Sequence, residues 1–249
     1  MVARMRVRRR GPVADVLKRT TPIVRDAAPR LVWDLPVRIT HWLLVVGVAG
    51  SWATHYAGVE WFAWHRRLGY AVLVLAAFRV AWGFVGTRHA RFATFVRGPR
   101  AMLNYLRSGR ETTGHSPLGA LAVLAMLVLL LAQASSGLFA NDEIMNAGPL
   151  YGWIAPDLSN RLTSLHRANS DWLLTLIALH LAAVAWYVRV RRRALVRAMV
   201  TGRKDAHAVP DSEAIRGSRT PLAVAIVLLL AAALALVVRA APDATIALY

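Results

Sequence analysis

Five stretches of the chain are apolar for long enough to cross a bilayer: residues 39–57, 65–86, 117–140, 166–188 and 221–238. Each is about 18–24 residues long, and a helix needs about 20 to cross roughly 30 Å of hydrocarbon. The polar residues between them alternate in charge. Residues 1–38 hold ten Lys+Arg and three Asp, residues 87–116 hold six Arg and one Glu, and residues 189–220 hold nine Lys+Arg. The intervening connections are poor in cations: residues 58–64 have none, and residues 141–165 have only Arg161. Cationic loops stay on the cytoplasmic side, so this alternation predicts a cytoplasmic N-terminus and an external C-terminus. The pattern predicts an all-α, polytopic membrane protein.

Composition sharpens that reading. The 249 residues are 57% hydrophobic yet carry a formal charge of +18. The mean hydropathy is +0.42 and the pI is about 11.7. A basic pI can signal nucleic-acid binding, but here the arginines fall where membrane topology puts them, so no nucleic-acid partner is expected. There is no cysteine, which excludes disulfides, thiolate ligands and covalent haem attachment. Residues 1–37 lack an apolar core ending in a cleavage site, so the first spanning segment is expected to act as its own insertion signal. Residues 1–30, with five arginines among the first ten, read as a basic cytoplasmic segment lying against anionic headgroups.

The candidate chemistry lies in the histidines. His166 and His180 are fourteen residues apart in the fourth segment. On a helix that spacing puts both rings on nearly one face, about 21 Å apart along the axis. Intramembrane imidazoles need partners, and two haems stacked across the membrane explain the spacing. Depth pairs His41 with His180 and His65 with His166, each pair drawn from two helices as bis-imidazole ligation in a bundle requires. His55 lies fourteen residues after His41 and competes with His65 for the external pair; spacing leaves the two open. Zinc is a weaker reading, because structural zinc sites are compact. His89, His115 and His207 fall in loops or at boundaries.

Arg79 lies fourteen residues after His65, at the depth of His41 and His180, where a cation needs an anion; a haem propionate would supply one. Arg38, Arg66 and Arg67 are further candidates, with interfacial snorkelling as the plainer reading. Gly47, Gly50, Gly69 and Gly137 are expected to let helices or a porphyrin approach closely. Segment 141–165 carries Asp142, Glu143 and Asp157 and reads either as a solvated loop or as a docking site for a basic redox partner.

The runs VWDLPVRITHWLL (32–44), WHRRLGYAVLVLAAFRVAWGFVG (64–86), FVRGPRAMLNYLR (95–107), GHSPLGA (114–120), SSGLFANDEI (135–144) and LHRANSDWLLTLIALH (165–180) together resemble the bacterial cytochrome b561 family. That family includes the b-type cytochrome subunit of nickel-iron hydrogenases and is similar to the membrane cytochrome of formate dehydrogenase. The resemblance implies a four-helix bundle with two non-covalent haem b groups, ligated here by His41, His65, His166 and His180. His65 is thus preferred to His55, and Arg38 and Arg79 are expected near the haems. It divides the chain into the basic segment 1–30, a dihaem domain at 31–204, and a linker with an additional fifth helix at 205–249. It implies a bacterial inner-membrane protein exchanging electrons between quinone and a periplasmic cytochrome c or dehydrogenase subunit. Such a chain is more an electron-transfer subunit than an enzyme with its own substrate. The alternatives are a superoxide:quinone oxidoreductase and a non-haem scaffold or transporter subunit.

Overall fold

The computed structural model describes residues 28–96, 98–108 and 112–242. Most of the predicted basic segment 1–30 therefore lies outside the described residues. The chain is mostly helical, and the apolar segments become α1 (Leu35–Tyr56), α2 (Phe62–Val85), α4 (Pro117–Gly137), α5 (Pro156–Arg189) and α7 (Thr220–Ala240). Shorter helices sit between them, among them α3 (Pro99–Ser108) and α6 (Leu195–Thr201). Among the described residues, four helices are long and apolar enough to cross a membrane: α2 with its preceding turn, α4, α5 and α7. The fourfold set makes this a multi-pass membrane protein. α1 is equally long at 22 residues but less apolar, because Arg38, Thr40, His41, Ser51, Thr54 and His55 all lie in it.

Local signals set the helix starts. Asp34 is the N-cap of α1, its carboxylate accepting from the amide of Val37 at 2.7 Å, with a proline in the first turn. Ser116 caps α4 by accepting from the amide of Gly119 at 3.1 Å, again with proline following. α5 begins ten residues before the apolar run that predicts it, at Pro156 after extended Ala155, with Asp157 in its first turn. Proline and an acidic residue both favour a helix N-terminus, whereas hydropathy marks only the stretch that suits lipid. His166 therefore lies well inside the helix, not at its start.

The helices pack in the order α1–α2–α4–α5, with α7 lying against α2. Gly47 and Gly50 bring α1 onto α2: a Cβ at Gly47 would stand 2.9 Å from Val72 and one at Gly50 3.0 Å from Leu68. Gly69, by contrast, faces open space. One buried cluster joins α2, α4 and α5 through Val72, Ala76, Leu130, Ala134 and Leu173. A second lies at the end of the bundle that carries the arginine-rich connections, and includes Val32, Val37, Phe78, Trp82 and Val209.

That basic end is tied together by long-range contacts. β1 (Arg30–Leu31) pairs antiparallel with β2 (Arg203–Lys204). The carbonyl of Gly202 accepts from the amides of Val32 and Trp33 at 2.8 and 3.0 Å. Gly202 has φ +80°, and a Cβ there would meet the Trp33 carbonyl at 2.6 Å, so only glycine suits the position. Residues 205–219 pack on the same end: Arg30 forms an ion pair with Asp211 at 2.7 Å, and the amide of Ile215 donates to the Leu31 carbonyl at 3.0 Å. Asp34, only 1% exposed, also accepts from Trp82 Nε1 at 3.1 Å and from the Thr87 hydroxyl, joining the start of α1 to the end of α2.

Candidate haem sites

Two groups of histidines lie at opposite ends of the bundle. At the end away from the arginine-rich connections, His65 of α2 and His166 of α5 have ring centres 6.3 Å apart. Two imidazoles sharing one metal atom place their ring centres about 6 Å apart, given about 2 Å for each metal–nitrogen bond. His65 Nδ1 lies 2.8 Å from the carbonyl oxygen of Ser51 on α1. His166 Nδ1 lies 2.9 Å from the carbonyl oxygen of Gln133 on α4. A carbonyl can only accept, so both rings carry their proton on Nδ1 and leave a lone pair on Nε2. Metal-ligating histidines characteristically have this second-shell bond, which fixes tautomer and orientation.

The supporting polar residues come from the middle of apolar helices. Asn169 donates to Gln133 Oε1 at 2.6 Å and to the Leu129 carbonyl at 3.0 Å. Gln133 in turn donates its amide N–H to His166 Nε2 at 3.1 Å, a bond that a metal at this nitrogen would displace, and the Ser136 hydroxyl lies 3.3 Å from Nδ1. Gly137 makes room for the ring, since a Cβ there would lie 2.9 Å from His166 Cε1. His55 is exposed, with its ring centre 6.0 Å from that of His65; it acts on His166 electrostatically, but no backbone carbonyl anchors its ring as Ser51 anchors His65. Sequence reasoning passed over Ser51, Gln133 and Asn169. The available signal was an isolated amide in each of two apolar helices, where an unpartnered polar group is costly.

At the basic end, His41 of α1 and His180 of α5 line one cavity of about 1000 Å³ and are close enough to interact electrostatically. Its deeper wall is apolar, with Leu44, Val48, Met126, Leu130, Leu173 and Ile177. The volume falls at the upper end of cofactor pockets. Arg79 also lines it. This residue is 7% exposed, and both terminal guanidinium nitrogens are buried without a hydrogen-bond partner. Its guanidinium stands 5.5 Å from the ring centre of Phe92. His41 Nδ1 is likewise buried and unpartnered. An apolar slot with a histidine from each of two helices and an orphaned cation at its side suits an apolar macrocycle bearing carboxylates.

The remaining candidates are placed differently. Arg38 donates to the Val200 carbonyl at the end of α6. Arg67 stacks over Trp64, 5.1 Å from its ring centre. His89 lies outside the cavity, its Nε2 2.8 Å from the Glu213 carbonyl, and burial pulls its pKa below the usual histidine value. In the 141–165 connection Asp142 closes its own turn, accepting from the amides of Ile144, Met145 and Asn146 at 2.8–3.0 Å. Glu143 accepts from Asn160 at 2.7 Å.

This arrangement defines a helical, multi-pass membrane protein with histidines from three of its long helices gathered at the two ends of the bundle. A model of the prokaryotic cytochrome b561 family matches residues 32–202, and the chain belongs to that family. It is a membrane b-type cytochrome of electron transfer. Two proteins described as probable Ni/Fe-hydrogenase B-type cytochrome subunits are similar to it. The one from Azotobacter chroococcum mcd 1 is 26% identical over 216 residues, covering 72% of this chain and 90% of the relative. The one from Azotobacter vinelandii is 25% identical with the same coverage. No solved structure matches the chain significantly.

Proposed function

We propose that the chain carries two haem b groups, one held by His65 and His166 and the other by His41 and His180, and passes electrons across the bacterial inner membrane between quinone and a periplasmic oxidoreductase. The observation that carries this reading is the pair of histidines on α5, each matched at its own depth by a histidine from a different helix. Fourteen residues set them about 21 Å apart, with one pair towards each membrane face.

In this reading α1 spans the membrane together with α2, α4, α5 and α7, and the basic end faces the cytoplasm. Residues 31–204 form the haem domain, and 205–249 supply the linker and the fifth span. Haem, when bound, supplies one-electron redox chemistry; the protein supplies the axial nitrogens, their orientation, burial and nearby charge. At the periplasmic end, the Ser51 and Gln133 carbonyls keep the protons on Nδ1. At the cytoplasmic end, Arg79 balances a carboxylate, while Arg38 stays with the Val200 carbonyl. Hydrogenase-type relatives support a dehydrogenase-like partner on the periplasmic side. In this reading quinone exchanges electrons at the cytoplasmic half.

The test is reduction of the purified, oxidised cytochrome by a reduced short-chain quinone, followed at the haem α-band. The proposal expects rapid haem reduction. A cytochrome that dithionite reduces but quinol does not would overturn the quinone assignment.

A further inference from the structure

His115 stands in the connection before α4 and has no part in the ligation described above. Its ring is wedged between two aromatic residues, with ring centres 4.7 Å from Trp33 and 4.5 Å from Phe95. It lines the same cavity as His41, His180 and Arg79. Its Nδ1 is buried and has no hydrogen-bond partner. A phenyl ring would fill this aromatic slot without stranding a nitrogen, so packing alone does not explain an imidazole here.

Besides His41 Nδ1, the buried nitrogens on this cavity without a hydrogen-bond partner include Arg79 Nη1, Arg79 Nη2 and His115 Nδ1. The surrounding charge is positive. Arg79 and Lys204 both act on His115 electrostatically, and Lys204 is fixed by donating to the Thr113 carbonyl at 2.7 Å. Asp34 is the acid that acts on Arg79, but its oxygens are committed to the Val37 amide, Trp82 and Thr87. No ion pair within 4 Å joins it to Arg79 among the described residues. A buried guanidinium is a two-pronged donor that matches a carboxylate, and a neutral imidazole adds one N–H. Burial, with Arg79 and Lys204 nearby, pushes the His115 pKa down to about 3, so at neutral pH the ring is uncharged and carries a single N–H.

We infer that His115 and Arg79 together form a carboxylate cradle for the haem held by His41 and His180, with the guanidinium gripping the carboxylate and the His115 N–H completing its hydrogen bonds. The inference rests on the dihaem reading. It makes His115 a positioning residue: it sets the seat and the potential of the cytoplasmic haem and ligates no metal.

The experiment uses the holoprotein and two substitutions at one position. His115→Phe keeps a ring between Trp33 and Phe95 but removes the donor; His115→Asn places an amide N–H near where Nδ1 stands. Redox potentials of both haems, and the rate of haem transfer to apomyoglobin, are measured in each. Removing a donor from a buried carboxylate leaves more uncompensated negative charge, which favours the oxidised iron. His115→Phe is therefore expected to lower the potential of one haem and speed its loss by about tenfold or more, with the other haem unchanged. His115→Asn is expected to restore most of both. Wild-type values in His115→Phe would overturn the cradle. So would equal impairment in both variants, which would assign His115 to packing. The unaffected haem reports that the variants are folded. Wild-type protein with only one haem would refute the dihaem reading, a different failure from two haems that ignore His115.

Discussion

His65 on α2 holds its Nδ1 2.8 Å from the Ser51 carbonyl on α1, and this contact decides what the ring can offer. The carbonyl claims the proton on Nδ1 and so leaves the lone pair on Nε2, in a ring whose centre lies 6.3 Å from that of His166. His55 is nearby but has no such anchor. His65→Ala should therefore remove one haem of two, whereas His55→Ala should leave the haem content unchanged. A pyridine haemochrome assay on the purified variants checks both. Loss of a haem from His55→Ala alone would mean that the external ligand is misassigned.

Gly137 tests the same site from the other side. A Cβ at this position would lie 2.9 Å from His166 Cε1 and 3.2 Å from Nδ1. Gly137→Val should push the ring from the Gln133 carbonyl and release the haem at that end, while the other haem stays. Overpacking of this kind typically costs about 1–3 kcal/mol, so the protein should still fold. The reduced-minus-oxidised spectrum should fall to about half its amplitude.

Asp34 carries a structural prediction. Its two oxygens serve a helix N-cap and two side-chain donors, and Trp82 is fully buried. Asp34→Ala removes the cap and strands both donors, at about 3 kcal/mol in all. The thermal unfolding midpoint in detergent should drop by several degrees or more. Asp34→Asn keeps an acceptor for the cap and should lose less.

The turn at Asp142 should respond to acid. Burial alone would raise its pKa, but hydrogen bonds from Asn146, Ile144 and Met145 outweigh this and hold it down to about 2. A carboxylate whose folded pKa is depressed stabilises its structure above the unfolded value, here 3.8, and that contribution fades as the pH falls through the folded value. The turn at 142–146 should hold above about pH 4 and loosen as the pH falls towards 2. Protection of the Asn146 amide against hydrogen exchange, compared with Asp142→Asn, checks this. A turn equally protected at pH 2 and pH 5 would contradict it.

Four of the five predicted spans were legible in the sequence because lipid imposes long apolar runs, and the histidine spacing was legible because helical periodicity turns fourteen residues into a depth. The start of α5 was not, since Pro156 and Asp157 act on the helix outside the apolar run. Pairings such as Leu31 with Arg203, or Arg30 with Asp211, join residues more than 170 positions apart and leave no local pattern. The anchors of the histidines are backbone carbonyls at Ser51 and Gln133, which every residue carries, so only the isolated amide side chain of Gln133 could have drawn attention to its position. The partner of Arg38 was hidden for a related reason: it donates to the Val200 carbonyl, 162 positions away, which no local pattern announces.

The central claim is that two histidine pairs each hold a haem, and its most direct test is haem stoichiometry in wild type and His180→Ala. Pyridine haemochrome analysis, with protein quantified by amino-acid analysis, should give two b haems per chain in wild type. His180→Ala should give one, with the spectrum and potential of the His65–His166 site intact. A single haem in wild type, or loss of both in a His180→Ala protein that remains folded, would contradict the account.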